Sequence, residues 1–271
     1  MGRRVFGDHR PGSAPGGSRP APYGGRVFTA DPLAPLLDLA GVAPALDAAR
    51  ESVDAALRDP MLRRQGGQAA AEVGLRSAVA SAAIEGYAPA RETVRAGLVT
   101  DPVPQGALRV AEALPGLVDV WGRAPRQVLA RLHVLAGRGA VPDDGLGRPV
   151  PGTADRLDAL SRLVTGGSRV PALLLASVVH GELLALRAFP GPYGVVARAA
   201  ARLVLAAGGF DPRLLVATEV GHLARQPEYV GAAGAFATGT PDGIRAWVRH
   251  CAAAVELGAA ELTAVCDELR R

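Results

Sequence analysis

The segment His180-Gly-Glu-Leu-Leu-Ala-Leu-Arg187-Ala-Phe-Pro-Gly-Pro-Tyr-Gly194-Val-Val-Ala-Arg198 decides the reading of this chain. On its upstream side, Val170 to Leu186 is apolar over the length of a helix, with Ser168 placed to cap it and Pro171 in the first turn, where a missing N–H costs nothing. On its downstream side, Val195 to Ala207 returns to helical spacing. Phe189 to Gly194 lies between them, broken by Pro190, Gly191 and Pro192, so the spacing predicts helix, tight loop, helix. A loop of this kind can aim backbone N–H groups at an anion such as phosphate, because a helix N-terminus has unpaired donors and the positive end of the dipole. Pro190 and Pro192 remove two of those donors, so an anion site and a plain interhelical turn both stay open.

Outward from this centre the chain predicts an all-α fold. Its 271 residues are 49% hydrophobic and only 4% aromatic, with Ala, Leu and Arg abundant, a balance that favours helix over strand and supplies a core. All 30 basic residues are arginine, which together with the Ala, Gly, Pro and Val richness reads as codon bias of a GC-rich genome. The formal net charge is only +4, so the composition does not call for nucleic acid. Cys251 and Cys266 have no partner at metal-ligand spacing and read as free, buried thiols of a reducing compartment. The longest apolar run contains His180 and Glu182, and Arg3 and Arg4 lead into no apolar stretch, so neither a membrane span nor a signal peptide is expected and the reading is cytoplasmic.

Residues 1–28 are rich in Gly, Pro, Arg and Ser and read as a flexible tail. Residues 29–106 read as N-terminal helices, over Pro32 to Ala40, Val42 to Leu57, Met61 to Ile84 and Arg91 to Ala96, the third stopped at Gly86 with Pro89 beyond. Residues 107–271 read as the core and closing helices. These begin with Ala107 to Ala113 and Gln127 to Ala136. Gly137 to Gly152 follows as a loop or one small β-hairpin. Further helices are expected from Asp211-Pro212, over Tyr229 to Phe236 and Gly243 to Leu257, and last to about Leu269.

The central stretch resembles the Fic family, whose loop motif HPFxxGNGRxxR joins two helices. Phe189, Gly194 and Arg198 match it, and His180 to Leu186 resembles the helix that leads in. Arg202-Leu-Val-Leu-Ala-Ala-Gly-Gly209 resembles the usual ending of the second helix. Arg225-Gln-Pro-Glu-Tyr229 and Gly243-Ile-Arg-Ala-Trp247 resemble later segments of the family, in order. Upstream, Ser81-Ala-Ala-Ile-Glu85-Gly86 matches the family's inhibitory pattern [S/T]xxxE[G/N], again at a helix end. The resemblance runs from about residue 70 to 258.

The resemblance implies a transferase that moves AMP from ATP, with Mg²⁺, to a hydroxyl of a protein target. In the family a histidine is the general base, an acid two residues after the phenylalanine holds the metal, and the loop cradles the phosphates. This chain has Arg187 at the place of the histidine, Gly191 at the place of the acid and Tyr193 at the place of the asparagine, while Pro192 and Val195 replace a glycine and the first arginine. A permanently protonated guanidinium cannot accept a hydroxyl proton, and Gly191 offers no oxygen to a hard cation. Gly191, Gly194 and Arg198 remain as the phosphate-binding positions. Ser81, Glu85 and Gly86 remain as the inhibitory ones, with Glu85 expected to pair with Arg198, since an Arg–carboxylate pair can be bidentate and selective.

His180 lies seven residues, about two helical turns, before Arg187 and is the alternative base, the competing reading being a packed core histidine. Glu182 is expected to be solvated or paired nearby, and His133, Asp143, Asp144 and Arg148 read as polar residues of or near the Gly137 to Gly152 loop, which in the family forms a flap over target segments.

Three function classes follow: a pseudoenzyme that binds or regulates, a transferase of altered chemistry in which Arg187 steadies phosphate charge, and a peptide-binding module. The partner in each is a protein of unknown identity, and a homo-oligomer is compatible with all three.

Overall fold

The computed structural model describes residues 31–271, so the expectation for the N-terminal tail lies outside the described residues. Asp31–Arg271 is a single compact unit. Its thirteen α-helices are α1 (Val42–Leu57), α2 (Met61–Arg64), α3 (Gly66–Ile84), α4 (Arg91–Arg95), α5 (Pro102–Ala113), α6 (Val118–Trp121), α7 (Pro125–Gly137), α8 (Ala154–Arg162), α9 (Ala172–Leu186), α10 (Tyr193–Ala207), α11 (Thr218–Ala224), α12 (Gln226–Phe236) and α13 (Pro241–Arg270). No strand forms among the described residues, and one isolated bridge, Arg138 with Val141, is all the β pairing there is.

The all-α expectation therefore holds, and the optional hairpin over Gly137 to Gly152 is corrected. Pro142, Pro149 and Pro151 cannot donate to a ladder, and Gly139, Gly147 and Gly152 adopt positive φ, so the segment turns repeatedly instead of pairing.

Other boundaries moved for local reasons. Pro32 to Ala40 makes only a 3-10 turn, Ala34–Asp38, and the helix expected from Met61 breaks at Gln65, before the Gly66-Gly67 pair. Ser168 does not cap α9; its hydroxyl bonds the Asp31 carboxylate, and α9 begins at Pro171-Ala172. Asp211 starts no helix: its carboxylate accepts from Leu215 N and Val216 N, turning the chain toward α11. The last two expected helices are one, α13, about 45 Å long at 1.5 Å per residue.

α10 is the axis of the molecule. Every residue from Gly194 to Ala206 is buried, and five alanines among them let neighbouring helices approach closely. It packs mainly on α9, with α7, α6, α3 and α5 around it, while α13 holds α1, α11 and α12. α1 turns Val42, Leu46, Ala49, Val53 and Ala56 toward α13, the stripe that helical periodicity requires. α3 is fixed to α13 through Arg76, 5% exposed, which donates to Glu72 on its own helix (2.6 Å) and to Glu261 (2.7 Å) and Glu268 on α13.

Candidate functional site: the α9–α10 loop and the end of α3

α9 ends at Arg187, whose φ of 46° places a non-glycine residue in the left-handed region. The side chain is exposed and lies over the Tyr193 ring, with its guanidinium carbon 5.6 Å from the ring centre. Phe189 anchors the loop in the core, Gly191 takes φ of 71°, and Tyr193 N donates to Gly191 O across the tight turn (2.8 Å). Val195 N donates to Pro192 O, so part of the helix N-terminus is satisfied within the loop itself.

The end of α3 reaches this N-terminus. Gly86, with φ of 93°, closes α3: its N–H donates to Ala83 O and Tyr87 N–H to Ala82 O, so the helix stops at Ile84 with Glu85 as its C-cap. Ser81 and Glu85, four residues apart, share one face of α3, and both meet Arg198, which is 1% exposed. Arg198 Nη2 donates to Glu85 Oε1 (2.8 Å) and to the Ser81 carbonyl (2.9 Å), Nε to Ser81 Oγ (3.0 Å), and Nη1 to the Tyr229 hydroxyl (3.2 Å). Burial disfavours the guanidinium's charge, but Tyr229 and Glu85 more than offset it and hold Arg198 protonated. Glu85 also lies where a side chain at Gly194 would go: a Cβ there would come within 2.2 Å of Glu85 Oε1. The carboxylate is thus seated at the positive end of α10.

The expected contact between Glu85 and Arg198 is present, with Gly194 beside it. Gly191 and Arg187 lie on the outer, exposed side of the loop. Arg198 is not turned to solvent as a free phosphate ligand; its donors are nearly all taken by Ser81, Glu85 and Tyr229.

His180 is corrected as a base. It is 1% exposed, and its Nε2 lies 3.0 Å from the Tyr229 hydroxyl, which accepts from Arg198 and so donates to the imidazole. Burial, and then the Arg198 charge, hold its pKa well below the ordinary value, and its lone pair is occupied. Burial pushes Tyr229 up to about 12. Behind them His222 Nδ1 and His250 Nε2 meet at 3.0 Å, and Trp247 donates to the Ser177 carbonyl (2.7 Å), making a buried aromatic cluster. Glu182 pairs with Arg156, and the two thiols are free and buried.

His133 is the residue that sequence reasoning undervalued. It is fully buried, stacks on Phe189 (4.9 Å between centres), and bonds both Pro190 O and Gly147 N. Its spacing on α7, in line with buried Leu129, Leu132 and Ala136, was the available sign that it faces inward.

This arrangement of helices is the Fic fold. The chain superposes on a Fic family protein from Desulfovibrio desulfuricans G20 with a TM-score of 0.63 at 22% identity, covering 82% of this chain and 74% of that one. Fic-1 of C. elegans superposes with a TM-score of 0.67 at 17% identity, covering 87% and 75%. No protein-family model matches the sequence, and no curated protein matches it significantly.

The loop residues do not fit the metal that the resemblance implies. Gly191 has no ligand atom, a Cβ there would come within 2.5 Å of Val141 Cγ2, and no cluster of three or more His, Cys, Asp or Glu among the described residues is arranged to hold a metal. Nor is any helix among the described residues long and apolar enough to cross a membrane.

Proposed function

We propose that this Fic-fold chain is impaired in nucleotidyl transfer and acts by binding or regulation, with Glu85 seated on Arg198 as the latch of its loop. One observation carries the reading: no side chain of residues 187–194, the loop itself, is a carboxylate or an imidazole that could take a proton from an incoming hydroxyl. Arg187 stands where the family's base stands, and the two histidines nearest the loop, His133 and His180, are buried and hydrogen-bonded elsewhere. Glu85 can accept a proton in principle, but it is paired with Arg198 and faces the N-terminus of α10.

The same pair favours a second reading. A retained latch argues for something to restrain, and exposed Arg187 beside Tyr193 suits an anionic phosphate group during transfer of AMP or a related group to a protein hydroxyl. The two readings part in one experiment. The natural protein and Glu85→Ala are titrated with ATP, GTP, CTP and UTP, with and without Mg²⁺, and followed by thermal shift and by intact-mass detection of self-modification. The first reading expects no covalent nucleotide on either protein, and stabilisation by nucleotide only in Glu85→Ala. Nucleotide transfer at ordinary protein concentration overturns it in favour of the transferase.

A further inference from the structure

Residues 138–150 lie directly on the α9–α10 loop, and the contacts are specific. Gly147 N–H donates to His133 Nδ1 (3.0 Å), so Nδ1 carries no proton and Nε2–H donates to the Pro190 carbonyl (2.8 Å). A single neutral imidazole therefore joins the covering segment to the loop, with its ring stacked on Phe189. Val150 N donates to Ala188 O (2.8 Å) at the far end of the segment, and in its middle Val141 packs against Gly191 so closely that a Cβ on Gly191 would meet Val141 Cγ2 at 2.5 Å.

We infer that His133 is a positioning residue that clasps residues 138–150 shut over the loop, and that Val141 takes the space a side chain at position 191 would need. The functional weight of this rests on the proposed reading of 187–194 as the site, but the clasp is a property of the fold and is tested separately from any nucleotide. Two consequences follow. The direction in which a side chain at position 191 would project is filled by Val141, so a ligand group can enter there only when Val141 lifts, while the glycine's other face is already exposed. Returning an acid to position 191 also does not by itself rebuild a metal site, because its Cβ collides with the cover.

The first test is a double-mutant cycle on the full chain with Gly191→Ala and Val141→Ala. The cost of placing an L-residue at φ of 71° is present in both backgrounds and cancels, leaving the collision. Gly191→Ala is expected to lower Tm in the natural background and to lower it by less than half as much beside Val141→Ala. Additive losses overturn the assignment of Val141. The second test is amide exchange on His133→Phe, which keeps the ring stack and removes both hydrogen bonds. Gly147 and Val150 are expected to exchange about tenfold faster, as for a loss of about 1.4 kcal/mol, while Leu203 and Val204 in α10 keep their rates. Equal acceleration everywhere, or none at Gly147, overturns the clasp. Should His133→Phe not fold, the imidazole ¹⁵N shifts of the natural protein decide: a proton on Nε2 alone supports the clasp, and a proton on Nδ1 overturns it.

Discussion

Replacing Glu85 with alanine removes the only carboxylate paired with Arg198 among the described residues, a guanidinium that is 1% exposed in the natural protein. Breaking a fully buried ion pair by deleting one partner costs about 3–5 kcal/mol, and losing a hydrogen bond to a charged group about 1.5–3 kcal/mol. Glu85 is one-fifth exposed, and Arg198 keeps three of its four bonds, two to Ser81 and one to Tyr229. The lower range therefore applies, a loss of about 2 kcal/mol, or roughly 4–8 °C in Tm for a unit of this size. The vacated space beside Gly194, at the positive end of α10, then accepts an anion, and pyrophosphate at about a hundred times its Kd restores about 2.7 kcal/mol. Glu85→Gln, which keeps an acceptor without the charge, should fall between the two proteins. The assay is urea unfolding and thermal unfolding of all three proteins with and without pyrophosphate. If Glu85→Ala unfolds with the natural protein and ignores pyrophosphate, the pair does not bind the loop as described and the latch reading fails.

Gly194→Ala puts a methyl within 2.2 Å of Glu85 Oε1 and should displace the same carboxylate, so its loss of stability, about 1–3 kcal/mol for overpacking, is expected to shrink in the Glu85→Ala background; equal losses in both backgrounds count against the contact. Acid should destabilise the protein well before its carboxylates titrate. Burial, then Arg225, pushes His250 down to about 4, and burial holds His180 and His222 well below the usual value. The unfolded chain binds protons on these rings from about pH 6.5 downward while the folded chain does not, so stability is fully present above that pH and falls as pH drops toward 4. The expected slope is about 1.4 kcal/mol per pH unit for each ring. Urea midpoints that stay flat between pH 6.5 and 5 would show that the three rings are not held neutral.

Much of the helical layout could be read along the chain because it depends on neighbours in sequence. Val42 to Leu57 repeats its apolar residues at helical intervals and forms α1 with those bounds. Gly86 stops α3 because only local backbone geometry is required, and Ser81, Glu85, Gly194 and Arg198 could be named in advance because short patterns preserve their order. Misreadings came where a distant group competed with a local one. Ser168 has the chemistry of a cap, but the Asp31 carboxylate takes its hydroxyl. Asp211 looks like the start of a helix, but its oxygens bond Leu215 N and Val216 N.

The sequence by itself determined the secondary structure class, the helix–loop–helix at its centre and the presence of Arg187 and Gly191, with no carboxylate or imidazole, in that loop, since each follows from residue type and spacing along one strand of chain. Only the tertiary structure decided that Glu85 sits on Arg198 across 113 positions, that His180 faces Tyr229 instead of the loop, and that His133 and Val141 close the cover over Gly191. Those outcomes depend on which faces of α3, α7, α9 and α10 meet when their apolar stripes are buried together, and a hydrogen bond in that interior is set by the geometry of several helices at once.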